Sequence, residues 1–95
     1  MEMRLPVDSP SRMVILEAVL AERERQDKLW GDQSHHSDSW WNVIATEENG
    51  EVAKEIYEQN QTKLFIEIIQ ACAVYFAWAE AIHKRAGGLN DKRDD

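Results

Sequence analysis

The sequence predicts an all-α fold, with three main helices in an antiparallel bundle that dimerisation completes as a four-helix-type bundle. Three observations predict it. Only four glycines and two prolines interrupt 95 residues, which favours long helices over strands and turns. Apolar residues recur three and four apart through three segments, separated by two polar stretches. The last segment, "LFIEIIQACAVYFAW", is apolar nearly all round, and three helices cannot cover every side of it. One domain over residues 1–95 is expected, with its core at about 10–83 and a polar tail at 84–95 that should fray.

The first helix is expected from about Pro10 to Trp30. Ser9 suits the N-cap and Pro10 the first helical position. Met13, Leu16, Val19 and Leu20 form an apolar stripe, with Trp30 on the same side further on. Arg23 and Asp27 continue that stripe where apolar residues would be expected. The half "AERERQDK" is therefore either a solvated face laced with i,i+4 pairs or a face turned towards something polar. "GDQSHHSDSW" reads as a loop, with His35 and His36 exposed in it and Asp38 or Ser39 capping the next helix.

The second helix is expected from about Trp40 to Gln59. Asn49-Gly50 is a strong hairpin signal, but "ATEE" and "EVAKEIYE" neither alternate nor favour β-branched residues, so the helix is retained. Gly50 inside it is expected to permit close approach of a neighbouring helix. Asn60 marks the reversal, and the third helix follows from about Thr62 to His83.

Composition excludes several functions. A net charge of −7 argues against nucleic acid bound through a basic surface, while suiting a divalent cation held by carboxylates. The single cysteine, Cys72, sits in an apolar run and is expected as a buried thiol in a reducing cytoplasm. The N-terminal "MEMRLPVDSP" lacks the pattern of a signal peptide, so a cytoplasmic location is expected. Residues 64–82 have about the length of a membrane span, but Glu67, Gln70 and Glu80 inside it favour a buried helix and no membrane partner.

The segment "EENGEVAKE" raises the question of why a packing helix should carry so many carboxylates. At about 100° per residue, Glu48, Glu51 and Glu55 fall within an arc of roughly 60°, beside Trp41, Ile44 and Val52. Glu47, Lys54 and Glu58 lie to one side. Like charges held so closely repel one another and call for a cation. The third helix repeats the anomaly with Glu67 and Gln70, one turn apart on a face shared with Ala71, Val74 and Trp78. Counted from the Asn60 turn, both polar pairs stand at similar heights. Hard oxygen ligands without His or Cys suit Mg²⁺, or Mn²⁺, better than zinc, and Mg²⁺ sites often include substrate phosphates. Two alternatives need no metal: a carboxylate network paired to Arg23, Arg25, Lys28 or Lys54, or a solvated groove. A di-iron site is disfavoured because no E-x-x-H occurs.

E-E-x-x-E at Glu47, Glu48 and Glu51, followed sixteen residues later by E-x-x-Q at Glu67 and Gln70, resembles the MazG-like family of all-α nucleoside triphosphate pyrophosphohydrolases. The stretches "ERERQDKLWGDQ", "EENGEVAKEI" and "EIIQACAVYFAW" look like the short phage and bacterial members, and the resemblance covers roughly residues 15–83. It implies Mg²⁺-dependent hydrolysis of a nucleoside triphosphate to monophosphate and pyrophosphate. Glu48, Glu51 and Glu67 match the family's metal ligands, and Gln70 stands where an Asp is usual. Glu47 matches the first glutamate of the motif and would help position water, which makes Glu47, Glu48, Glu51 and Glu67 the implied catalytic set. Arg23 and Lys54, with Arg25 and Lys28, are candidates for holding the polyphosphate. Gln26 and Trp30 are candidates for contacting and stacking on the base. The Gln70 amide can ligate a metal through its oxygen but brings no charge and cannot act as a base. The expected assembly is a homodimer or homotetramer. The rival readings are a non-catalytic nucleotide- or metal-binding module and a helical oligomerisation protein.

Overall fold

Why each helix stops where it does explains most of the architecture. The computed structural model describes residues 10–87, which form α1 (Pro10–Trp30), α2 (Asp38–Tyr57) and α3 (Gln61–Arg85), without a strand among the described residues. The Ser9 cap expected for α1 lies outside them. α1 ends at Gly31, whose φ of 71° takes the left-handed conformation that glycine adopts without strain, and whose N–H donates to the Asp27 carbonyl at 2.8 Å.

α2 begins two residues before its expected start because Ser37, not Asp38 or Ser39, is its N-cap. The Ser37 hydroxyl accepts from the Trp40 N–H at 3.2 Å. Asp38 is engaged elsewhere: its Oδ1 accepts from the Trp78 indole at 2.9 Å and from Arg85. These bonds fasten the start of α2 to the end of α3. At the other end, Gln59 turns the chain with a φ of 59°, and Asn60 caps α3 by accepting from the Lys63 N–H at 2.9 Å. Asn49-Gly50 lies within α2, as the absence of alternating flanks predicts.

α3 is the shared support. α1 and α2 each pack on it, and they do not pack on one another. One small core joins α2 to α3 through Trp41, Ala45, Val74, Ala77 and Ala81, and a second joins α1 to α3 through Val19, Ile69 and Ala73. Buried alanines, not Gly50, allow the helices to approach. A Cβ placed on Gly50 would meet nothing within 4 Å.

A helix resting on one neighbour buries only one line of side chains. Of the α1 stripe, only Val19 is buried, and Met13, Leu16 and Leu20 stay exposed. Trp30, at 59% exposure, is no core residue. On α3, Phe65, Ile68, Cys72 and Tyr75 form an exposed row three and four apart, met by α2 only where the Asn49 amide donates to the Tyr75 hydroxyl at 3.4 Å, so Cys72 is exposed instead of buried. α3 has the length and apolar composition of a membrane span, with 33% of that stretch buried.

Candidate functional site

Two helices that lean on a third without touching leave a groove between them, here about 1270 Å³. α1 contributes Glu22, Arg23, Gln26 and Trp30; α2 contributes Trp41, Ile44 and Glu48; α3 forms the floor with Gln70, Val74, Ala77 and Glu80. The floor is apolar at Val74 and Ala77 and polar at Gln70 and Glu80, while Glu22, Arg23 and Glu48 stand on the walls.

The acidic residues divide by depth. Glu55 on α2 is buried at 5% exposure, and Glu48 and Glu67 are half-buried. In each of the three, Oε1 is enclosed and has no hydrogen-bond partner. Burial pushes the Glu48 carboxyl above its ordinary range, and the charges of Glu67, Glu51, Glu22 and Glu47 push it further. Glu67 is raised in the same way, first by burial and then by Glu51 and Glu55, while Lys54 partly opposes the shift. Glu51 and Glu47 themselves are exposed and act from the rim. Gln70 is half-buried in the groove floor, where it brings an amide oxygen without charge.

Of the residues matched to metal ligands, Glu48, Glu67 and Gln70 therefore turn inward and Glu51 does not. Among the described residues, no three His, Cys, Asp or Glu side chains are gathered tightly enough to hold a metal ion as they stand. An enclosed carboxyl oxygen without a donor is relieved by a proton, the direction in which burial pushes Glu48 and Glu67, or by a cation, and oxygen donors are those a hard divalent cation takes.

The charged half of α1 is not a uniformly solvated face. Arg23, with 15% of its side chain exposed, donates to Glu80 at 3.0 Å and to Asp27 at 2.9 Å. Gln26 is buried between its neighbours, accepting from Arg23 at 3.3 Å and donating to Glu22 at 3.0 Å. Arg25 grips Glu22 with two bonds of 2.8 Å. Lys54 and Lys28 are exposed and do not line the groove.

The far end of the groove is aromatic. Trp30, Trp40 and Trp41 line it, and His36 stacks on Trp40 with ring centres 3.6 Å apart and an interplanar angle of 12°. His36 also bonds Gln33 at 2.7 Å, so it is not a free loop histidine, and desolvation followed by the His35 charge lowers its pKa. The Trp41 indole nitrogen is buried without a partner.

Glu22 and Trp41 are groove residues that motif reasoning missed. A signal for Glu22 existed, since it follows Val19 by three residues and precedes Gln26 by four, on the buried face of α1. Glu55 was visible on the inward arc but stands outside the motif. No protein-family model, curated protein or solved structure matches the chain.

Proposed function

We propose that the protein is a Mg²⁺-dependent nucleoside triphosphate pyrophosphohydrolase, releasing nucleoside monophosphate and pyrophosphate. The observation that supports this reading is the set of enclosed, donorless oxygens on Glu48, Glu55 and Glu67, which destabilise the fold unless a proton or a cation answers them. Glu48, Glu51, Glu67 and Gln70 would hold the ion, which when bound neutralises phosphate charge and activates water. Mn²⁺ suits the same ligands.

The chain's own residues supply the rest. Glu47, on the rim beside Glu48, helps position water. Arg23 lines the groove wall, and its guanidinium would exchange Glu80 and Asp27 for phosphate oxygens. The aromatic end accepts a base, with Trp30 exposed for stacking and Gln26 behind it. Lys54 reaches a polyphosphate only from outside the groove. The antiparallel bundle is completed by a second copy covering the open apolar faces of α1 and α3.

A non-catalytic nucleotide-binding module is the second reading, favoured by the neutral Gln70 and by the separation of the acidic side chains. Release of pyrophosphate from a panel of nucleoside triphosphates, with and without Mg²⁺, separates the two. Mg²⁺-dependent release is expected. Nucleotide-induced thermal stabilisation without any release would replace the enzyme by the module.

A further inference from the structure

Trp30, Trp40 and Trp41 line the far end of the groove, but their rings are not equally available. Trp40 has His36 stacked on one face and meets the Trp41 ring at 87°, with those ring centres 5.0 Å apart. Trp30 is exposed and pairs with no other ring among the described residues, so its face is free. Trp41 is the opposite case, at 5% exposure and with its indole N–H buried and unpartnered. The Trp78 indole, by comparison, donates to Asp38. Ile44, Val74, Ala77 and Ala81, which pack with Trp41, carry no side-chain acceptor. The Trp40 ring is a weak acceptor at most. A buried indole N–H is ordinarily hydrogen-bonded, so an acceptor has to come from the groove that Trp41 lines.

We propose that the Trp41 indole selects the base bound in the groove, donating to an exocyclic carbonyl oxygen and rejecting an amino group in its place. The substrate is then an oxo-base nucleotide, of the hypoxanthine, guanine, uracil or thymine kind. The inference rests on the reading above and narrows its substrate. The depth of the donor sets the choice. An acceptor that reaches an N–H below the groove surface must project from the ring edge, and ring nitrogens do not. Of the two polar groups that do project from bases, a carbonyl accepts, whereas an amino group offers donors. An amino group there would leave two donors enclosed face to face, which a site of this kind rejects. The stack of His36 on Trp40, and the contact of Trp40 with Trp41, hold the indole in place before the base arrives. Trp30 supplies area without choice, since every base offers it a face.

The test is calorimetric titration, with Mg²⁺ present, of inosine monophosphate and adenosine monophosphate, whose purines carry an oxo and an amino group at the same carbon. The wild-type protein is expected to bind the inosine form at least about tenfold more tightly. Trp41→Phe keeps a ring but removes the N–H, and should lose that preference through weaker binding of the inosine form. Trp30→Ala should weaken both nucleotides alike. A Trp41 that serves packing alone would make Trp41→Phe weaken both alike, which would overturn the proposal. If Trp41→Phe fails to fold, the indole proton spectrum of the wild-type protein decides. A slowly exchanging indole proton should move downfield with the inosine form and not with the adenosine form, and the lack of one would remove the proposal. Equal wild-type affinities, or a preference that survives in Trp41→Phe, would remove the selection by Trp41 and leave the proposed function standing. Binding of neither nucleotide by the wild-type protein would remove both this inference and the base site beneath it.

Discussion

A buried carboxylate oxygen without a donor destabilises a fold by roughly 1–3 kcal/mol, and α2 and α3 enclose three of them. Glu55→Gln keeps the volume and removes the charge, so it should stabilise the cation-free protein by about 1 kcal/mol. That corresponds to a rise of about 4–8 °C in thermal midpoint for a domain of this size, readable by calorimetry. Glu51→Gln and Glu67→Gln are expected to abolish pyrophosphate release while leaving the fold intact or more stable, and full activity in either would remove the metal-site assignment. The same charges set a pH dependence. The folded pKa values of Glu48 and Glu67 lie above the ordinary 4.5, so between those values the folded state binds more protons than the unfolded chain. Stability of the cation-free protein should therefore fall as pH rises from about 4.5 through the folded values, and the Glu48→Gln, Glu67→Gln double variant should flatten that fall in urea unfolding. Asp32, held down to about 2 by Ser34 and Lys84, and Asp38, lowered by Arg85 and Trp78, act in the opposite sense at lower pH. Their contributions are present above the ordinary 3.8 and are lost as pH falls through the folded values.

The helices were legible because their signals are local. Helical periodicity, the Asn60 cap and the lack of alternation around Asn49-Gly50 each concern residues within a few positions of one another. The start of α2 was less legible. Asp38 is as good a cap as Ser37 in isolation, and only Trp78 and Arg85, some 40 and 47 residues away, decide that it is used elsewhere. Gly50 was misread for a similar reason. A glycine inside a helix has a use only if something approaches it, and here nothing does. Gly50→Ala should therefore stabilise the protein by about 1 kcal/mol in thermal or urea unfolding. A loss of stability would reveal a second chain packed against that position.

Taken together, α1, α2 and α3 leave more apolar surface open than a lone small domain usually does. Met13, Leu16 and Leu20 line one side, and Phe65, Ile68 and Tyr75 another. If a second copy covers these rows, sedimentation at micromolar concentration should show a dimer or larger species. Phe65→Glu should shift it towards monomer and lower the thermal midpoint, which should itself depend on protein concentration. A monomeric wild-type protein would defeat the proposed assembly.

Counting along the chain was enough to find three helices and their approximate ends, and to place Glu48, Glu55, Glu67 and Gln70 on faces that are at least partly buried, because a helix turns by a constant angle per residue. Counting could not find that α1 and α2 stand apart over α3, that Glu51 sits on the rim while Glu22 turns in, or that Cys72 and Trp30 face outward. Those outcomes depend on which helix covers which face. That choice is made by many weak, non-local contacts, such as Ala73 and Ala81 admitting a neighbouring backbone or Glu80 drawing in Arg23. No single stretch of sequence encodes such a sum.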